Sequence, residues 1–151
     1  MKCEIISVGD ELLIGQTINT NASWLGEQLN NLGFTIAHGL VISDQKLDIV
    51  NALSQAEKRS DIVLITGGLG PTNDDITKHT LTVYFNTTLE LDKEIEQNII
   101  DYFTSRNLPI LQTNKDQALL PKSCKVLSNS RGSASGMWFE KNGVIFISLP
   151  G

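Results

Sequence analysis

The chain has 151 residues, 40% hydrophobic and 19% charged, with a net charge of -5, the composition of one ordinary soluble domain. An acidic total points away from a nucleic-acid surface, which needs a basic patch, and no apolar run approaches the roughly 20 residues of a bilayer span. Cys3 and Cys124, the two cysteines, make no metal pattern and no disulfide framework, so a cytoplasmic domain with neither membrane nor nucleic-acid partner is expected.

Residues 3–8 form a short apolar run ending at Gly9 and predict a buried strand. Residues 10–19 are mixed and read as irregular. Thr20 or Asn21 suits the cap of a helix reaching about Leu32, with Leu25, Leu29 and Leu32 on one face and Gly33 as its stop. Residues 34–42 predict a second strand. Ser43 or Asp44 then suits the cap of a helix carrying Leu47, Val50 and Leu53 and closing near Arg59. The β-branched run 62–65 predicts a third buried strand. A Gly-rich loop follows, and Asp74 or Asp75 opens a helix to about Tyr84.

Asp92 is expected to cap a helix from Lys93 to about Arg106, and a short helix over 115–119 is stopped by Pro121. Two last strands, 136–140 and 144–149, are joined through Asn142-Gly143, a strong hairpin signal. Alternating strands and helices in the first half predict a mostly parallel mixed sheet with right-handed crossovers. Trp24, Phe103 and Trp138 read as core residues. The end at Leu149-Pro150-Gly151 reads as a cut, because Pro-Gly normally starts a turn.

The chemistry concentrates in residues 66–75, Thr-Gly-Gly-Leu-Gly-Pro-Thr-Asn-Asp-Asp. In open α/β sheets ligands bind beyond the carboxyl ends of the strands. Gly67, Gly68 and Gly70 permit positive φ and close approach to a ligand, and the next helix offers unpaired N–H groups, so the segment predicts an anion site suited to phosphate. It lacks the Gly-Lys-Ser/Thr of a Walker A loop and the third glycine of a Rossmann fingerprint. Carboxylates beside phosphate are relieved by helix capping or by a divalent cation; of Asp74 and Asp75, one is given the capping role and Asp75 the functional one. Asp10 and Glu11, after the first strand, fit either a ligand or metal site or a solvated turn. Asp44 by itself fits a helix cap, and His79 a surface position four residues after Asp75. Lys115 and Arg131 are the candidate cations for phosphate.

Residues 7–15, 19–21 and 66–77 resemble the N-terminal domain of the CinA (competence/damage-inducible) proteins, and through it the molybdopterin-binding domains of the MogA, MoaB and MoeA families. Asn114 with Gln117-Ala118 and Pro121, Asn129 with 132–136, and Leu149-Pro150-Gly151 fit the same pattern. The chain departs from it at Ala134-Ser135-Gly136, where the family usually has Ala-Pro-Gly, and the activity of the deamidase domain that often follows in CinA proteins is not expected of these residues. The resemblance implies a three-layer α/β/α sandwich and hydrolysis of a nucleotide pyrophosphate such as ADP-ribose. It implies Mg²⁺ or another divalent cation held by Asp75 with Asp10 or Asp44, and catalytic carboxylates among Asp44, Asp74 and Asp75. Phosphate or nucleotide contacts are expected from Gly67, Gly68, Gly70, Pro71, Thr72, Asn73 and Thr77, from Gly9, Asp10 and Glu11, and from Ser133 and Gly136. Two alternatives stand beside it: a molybdopterin-binding, adenylylating domain, and a nucleotide-binding module without turnover. A small phosphorylated nucleotide or pterin and a homo-oligomer are the expected partners.

Overall fold

The computed structural model describes residues 1–70 and 76–151. A six-stranded sheet runs in the order β2-β1-β3-β8-β7-β6. Its strands are β1 (Lys2–Val8), β2 (Thr35–Ile42), β3 (Ile62–Thr66), β6 (Lys125–Leu127), β7 (Gly136–Lys141) and β8 (Val144–Leu149). The first three and β8 are parallel, and the β7–β8 hairpin makes the sheet mixed. A second sheet pairs β4 (Leu89–Leu91) with β5 (Leu119–Pro121). The order 2-1-3 reverses direction between β1 and β3, the switch point where an open sheet leaves a crevice.

Alternation along each strand separates two cores. Ile6, Val63, Ile65, Phe139 and Phe146 face α3 (Lys46–Ala56), α4 (Thr77–Tyr84) and α5 (Lys93–Thr104). Cys3, Ile62 and Leu64 face Leu25 and Leu29 of α2 (Thr20–Asn31) on the other side. This is the expected α/β/α layering. The first core is also aromatic: Phe85 stacks on Phe139 with centroids 4.1 Å apart, and Phe146 meets Phe85 edge-on. The third strand reads as its sequence demands, buried at every position from Ile62 to Thr66.

Several boundaries differ from the sequence expectation for physical reasons. Residues expected to be irregular include one helical turn, α1 (Asp10–Leu13). Asn19, not Thr20 or Asn21, caps α2: its side chain accepts from the Ala22 amide at 3.2 Å and donates to Ser7 Oγ at 2.9 Å. Neither Ser43 nor Asp44 caps α3, whose N-cap is Gln45 without a side-chain bond. The helix expected over 115–119 is α6 (Gln112–Lys115) followed by a 3₁₀ turn, Asp116–Ala118. Trp24 is 61% exposed on α2 instead of buried. The apolar first strand hides a charge: Glu4 is fully buried and takes two hydrogen bonds from Arg59, at 2.7 and 2.9 Å, and one from Ser60 Oγ. Asp92 caps α5 as expected, accepting from the Glu94 and Ile95 amides. Among the described residues, no helix is long and apolar enough to cross a membrane.

Candidate functional site

The parallel strands β1, β2, β3 and β8 end at Val8, Ile42, Thr66 and Leu149, on the same side of the sheet. The loops leaving them are stitched together: the Gly9 amide donates to Ile42 O at 3.0 Å, and the Gly67 amide to Leu149 O at 3.2 Å. Above these ends opens a cleft of about 880 Å³, within the size range of small-molecule sites. One wall is Gly67 to Gly70 with Glu11 and Asp44; the opposite wall is the loop from Ser128 to Ala134. Gln117, Gly136, Pro150 and Gly151 also line it.

The glycines of the first wall are required by the backbone. Gly67 and Gly68 have φ of 103° and 67°, a region that an L side chain enters at a cost of roughly 1–2 kcal/mol. Packing demands glycine as well. A Cβ on Gly67 would overlap the Val8 carbonyl oxygen, and one on Gly68 the Thr77 hydroxyl. The turn after β3 is therefore pressed against β1 beneath it and against the first residue of α4. Ile76, the N-cap residue of α4, provides no side-chain cap, so the helix start is not closed by its own cap side chain.

Acidic groups meet at the edge of the cleft. The Asp10 amide donates to Asp44 Oδ2 at 3.0 Å, and the Asp44 amide to Asp10 Oδ1 at 3.4 Å. Asp44 is thus drawn to the start of α1, in place of the α3 cap expected for it. Glu11 lines the cleft beside this pair. The opposite loop is held by Asn129, which accepts from the Arg131 amide and donates to Ala134 O, both at 2.9 Å. Arg131 is the cation among the described lining residues, and it faces an otherwise acidic and neutral cleft.

The fold gathers Glu11, Asp44, Gly67, Gly68, Gly70, Ser133 and Gly136 into this one cleft. Gly9 and Asp10 lie just beside it through the contacts above. Thr77 is fully buried behind Gly68, its hydroxyl without a hydrogen-bond partner. Gly136 packs tightly under Ser148 O and Leu127 as well as lining the cleft. Pro71, Thr72, Asn73, Asp74 and Asp75 fall outside the described residues. His79 is exposed, and of the two candidate cations Arg131 lines the cleft while Lys115 is not among its described lining residues.

Sequence reasoning gave no role to Lys78 or Gln117. Burial lowers the Lys78 ammonium from its ordinary value, with the Asp116 charge opposing that shift. Its Nζ donates to Asp116 O at 2.9 Å. Asn114 and Gln117 are buried polar residues on either side of Lys115 and the exposed Asp116, and Asn114 Oδ1 accepts from the Leu111 amide.

A family profile described as "Probable molybdopterin binding domain" matches residues 4–151. A CinA-like protein of Flavobacterium psychrophilum is 49% identical over 155 residues, which cover all of this chain and 36% of that protein. The chain thus spans about a third of the length of the curated relatives it matches. The crystal structure of the protein CinA from Thermoplasma acidophilum superposes with a TM-score of 0.88 at 32% identity, covering 99% of this chain and 88% of that one. MoaB of Thermus thermophilus, a molybdopterin biosynthesis enzyme, matches with a TM-score of 0.61 at 18% identity, over 99% of this chain and 80% of that one, and shares the fold. The chain belongs to the molybdopterin-binding domain family, as a CinA-like member.

Proposed function

We propose that the cleft binds a small phosphorylated heterocycle, foremost a pterin phosphate of the molybdopterin type. The observation that carries this reading is the wall of Gly67 to Gly70. Its positive-φ backbone bends at the carboxyl ends of β1, β3 and β8, next to the start of α4, an arrangement that offers amide N–H groups to an anion. Arg131, on the facing wall, supplies a planar cation able to pair with phosphate oxygens. The family match and the shared fold with molybdopterin biosynthesis proteins support the pterin.

Titration of the protein with a pterin monophosphate in a calorimeter tests the reading, with the phosphate-free pterin as control. The phosphate form is expected to bind and the phosphate-free form to bind at least tenfold more weakly. Arg131→Gln is expected to weaken the phosphate form by about 10-fold or more, the range for a hydrogen bond to a charged group. Equal binding of the two pterins, or an Arg131→Gln variant indistinguishable from the parent, would overturn it.

A second reading, metal-dependent hydrolysis of a nucleotide pyrophosphate such as ADP-ribose, draws on the reciprocal Asp10–Asp44 contact at the cleft edge. Mg²⁺ takes one or two carboxylates together with phosphate oxygens and water, and Asp10 and Asp44, with Asp75 expected nearby from the resemblance, are carboxylates of that kind. When bound, the ion would neutralise charge on the pyrophosphate. In this reading the glycine wall binds and orients the phosphates, and the acidic pair sets where the cation rests. The family match is to a molybdopterin-binding domain, so the pterin-binding reading stands first. Product release from ADP-ribose with Mg²⁺, lost in Asp44→Asn, would favour hydrolysis. Nucleotide binding without turnover would favour a non-catalytic module.

A further inference from the structure

Three buried side-chain oxygens among the described residues have no hydrogen-bond partner: Thr77 Oγ1, Gln117 Oε1 and Ser148 Oγ. The two hydroxyls turn freely and belong to residues packed in the interior. Gln117 differs. It is 5% exposed, yet it is one of the residues that line the cleft. A buried, unpaired amide oxygen costs about 1–3 kcal/mol, a cost removed by a donor arriving from the cleft.

The backbone around Gln117 is fixed before any ligand enters. Lys78 Nζ holds the Asp116 carbonyl at 2.9 Å, and the Asp92 amide holds the Ala118 carbonyl at 2.9 Å. Asn114 clamps the start of the same segment at Leu111. Only the side-chain amide is left to adjust, and its terminal torsion is broad and soft. A planar amide carries an acceptor and a donor side by side. That pattern matches a heterocycle edge on which an amino group neighbours a ring nitrogen, as glutamine reads adenine.

We infer that Gln117 is a specificity-determining residue, whose side-chain oxygen accepts a hydrogen bond from a ring amino group of the phosphorylated heterocycle in the cleft. This rests on the phosphate-binding reading above and names the chemistry of the rest of the ligand. Pterin and adenine both carry such an edge; their oxo analogues place a carbonyl acceptor where the amino donor stood.

The test measures binding of two matched pairs by calorimetry: a pterin monophosphate against its 2-oxo analogue, and ADP-ribose against its hypoxanthine counterpart. The unmodified protein is expected to prefer the amino form at least tenfold in one pair, and that pair identifies the source of the ring. Gln117→Met, similar in length and without an acceptor, is expected to bring the preference to within about twofold while phosphate-dependent binding persists. Equal affinity for both members of each pair overturns the inference and leaves the phosphate site standing. Binding of none of the four overturns both. A tenfold preference that persists in Gln117→Met also overturns the inference, whereas equal affinity in the unmodified protein overturns it however the variant folds.

Discussion

At Gly68 the backbone angle and the neighbouring side chain make the same demand. Its φ is 67°, and the place of a Cβ is occupied by the Thr77 hydroxyl. Gly68→Ala is therefore expected to cost about 2–5 kcal/mol, the sum of left-handed strain and overpacking. Gly143, at φ 81° with open space around it, provides the comparison: Gly143→Ala is expected to cost only about 1–2 kcal/mol. Thr77→Ala in the Gly68→Ala background is expected to recover about 1 kcal/mol, a coupling that chemical denaturation of the four-member cycle measures. Additive effects would show that Gly68 and Thr77 are not in contact. The glycines were legible in the sequence as a close turn, because three follow a buried strand. What they touch was not legible, since Val8 and Thr77 come to them only through the fold.

A second residue-scale test concerns pH. Burial alone would raise the Glu57 carboxyl, but hydrogen bonds from Tyr84, Asn142 and Lys141 outweigh it and hold the group below its ordinary 4.5. Asn142 Nδ2 donates to Glu57 Oε1 at 2.6 Å, while Lys141 Nζ lies 3.2 Å from Oε2, which also accepts from the Tyr84 hydroxyl. A carboxylate depressed in the folded state contributes stability above its unfolded value and loses it as pH falls through the folded one. Glu57→Gln is expected to flatten the fall of stability with acid below about pH 4.5, read from denaturation midpoints across that range. An unchanged acid limb would contradict the network.

Among the elements, helix ends separate by what their caps do. Asp92→Ala removes two amide contacts from α5, and Asn19→Ala removes both the α2 cap and the tie to Ser7. Each is expected to cost about 1–2 kcal/mol. Gln45→Ala, at a helix start without a side-chain bond, is expected to stay within about 0.5 kcal/mol. Thermal unfolding of the three variants checks the order, and a Gln45 effect equal to that of Asp92 would contradict it. The long helices and strands were readable from hydrophobic spacing and caps, as Asp92 and Asn142-Gly143 show. The three-residue strands β4, β5 and β6 were not, because so short a run has no period to detect. Asp44 illustrates a different limit: its capping chemistry was foreseen, but the amide it serves belongs to Asp10, in another loop.

For the molecule as a whole, sheet order does what no local pattern states. Placing β1 between β2 and β3, with β8 beyond, brings Glu11, Asp44, Gly67 and Ser133 to one opening. The alternation of strands and helices in the sequence was enough to foresee a mostly parallel sheet with a crevice at its carboxyl edge. The facing wall of Ser128 to Ala134 was quoted as part of a resemblance, with only Ser133 and Arg131 marked for the ligand. Asn129, which shapes that wall, was quoted there without a role, because its partners are backbone atoms of its own loop. Trp24 shows the converse: its large apolar ring suggested core, yet α2 has no buried residue and leaves it outside.

The central claim is that amides of the glycine wall receive a phosphate. A crystal structure of the protein soaked with pterin monophosphate tests it most directly. The account predicts phosphate oxygens within about 3 Å of backbone nitrogens in residues 68–70, the distance of an N–H hydrogen bond, with the ring extending toward Gln117. A phosphate bound on another face of the molecule, with this wall untouched, would contradict it.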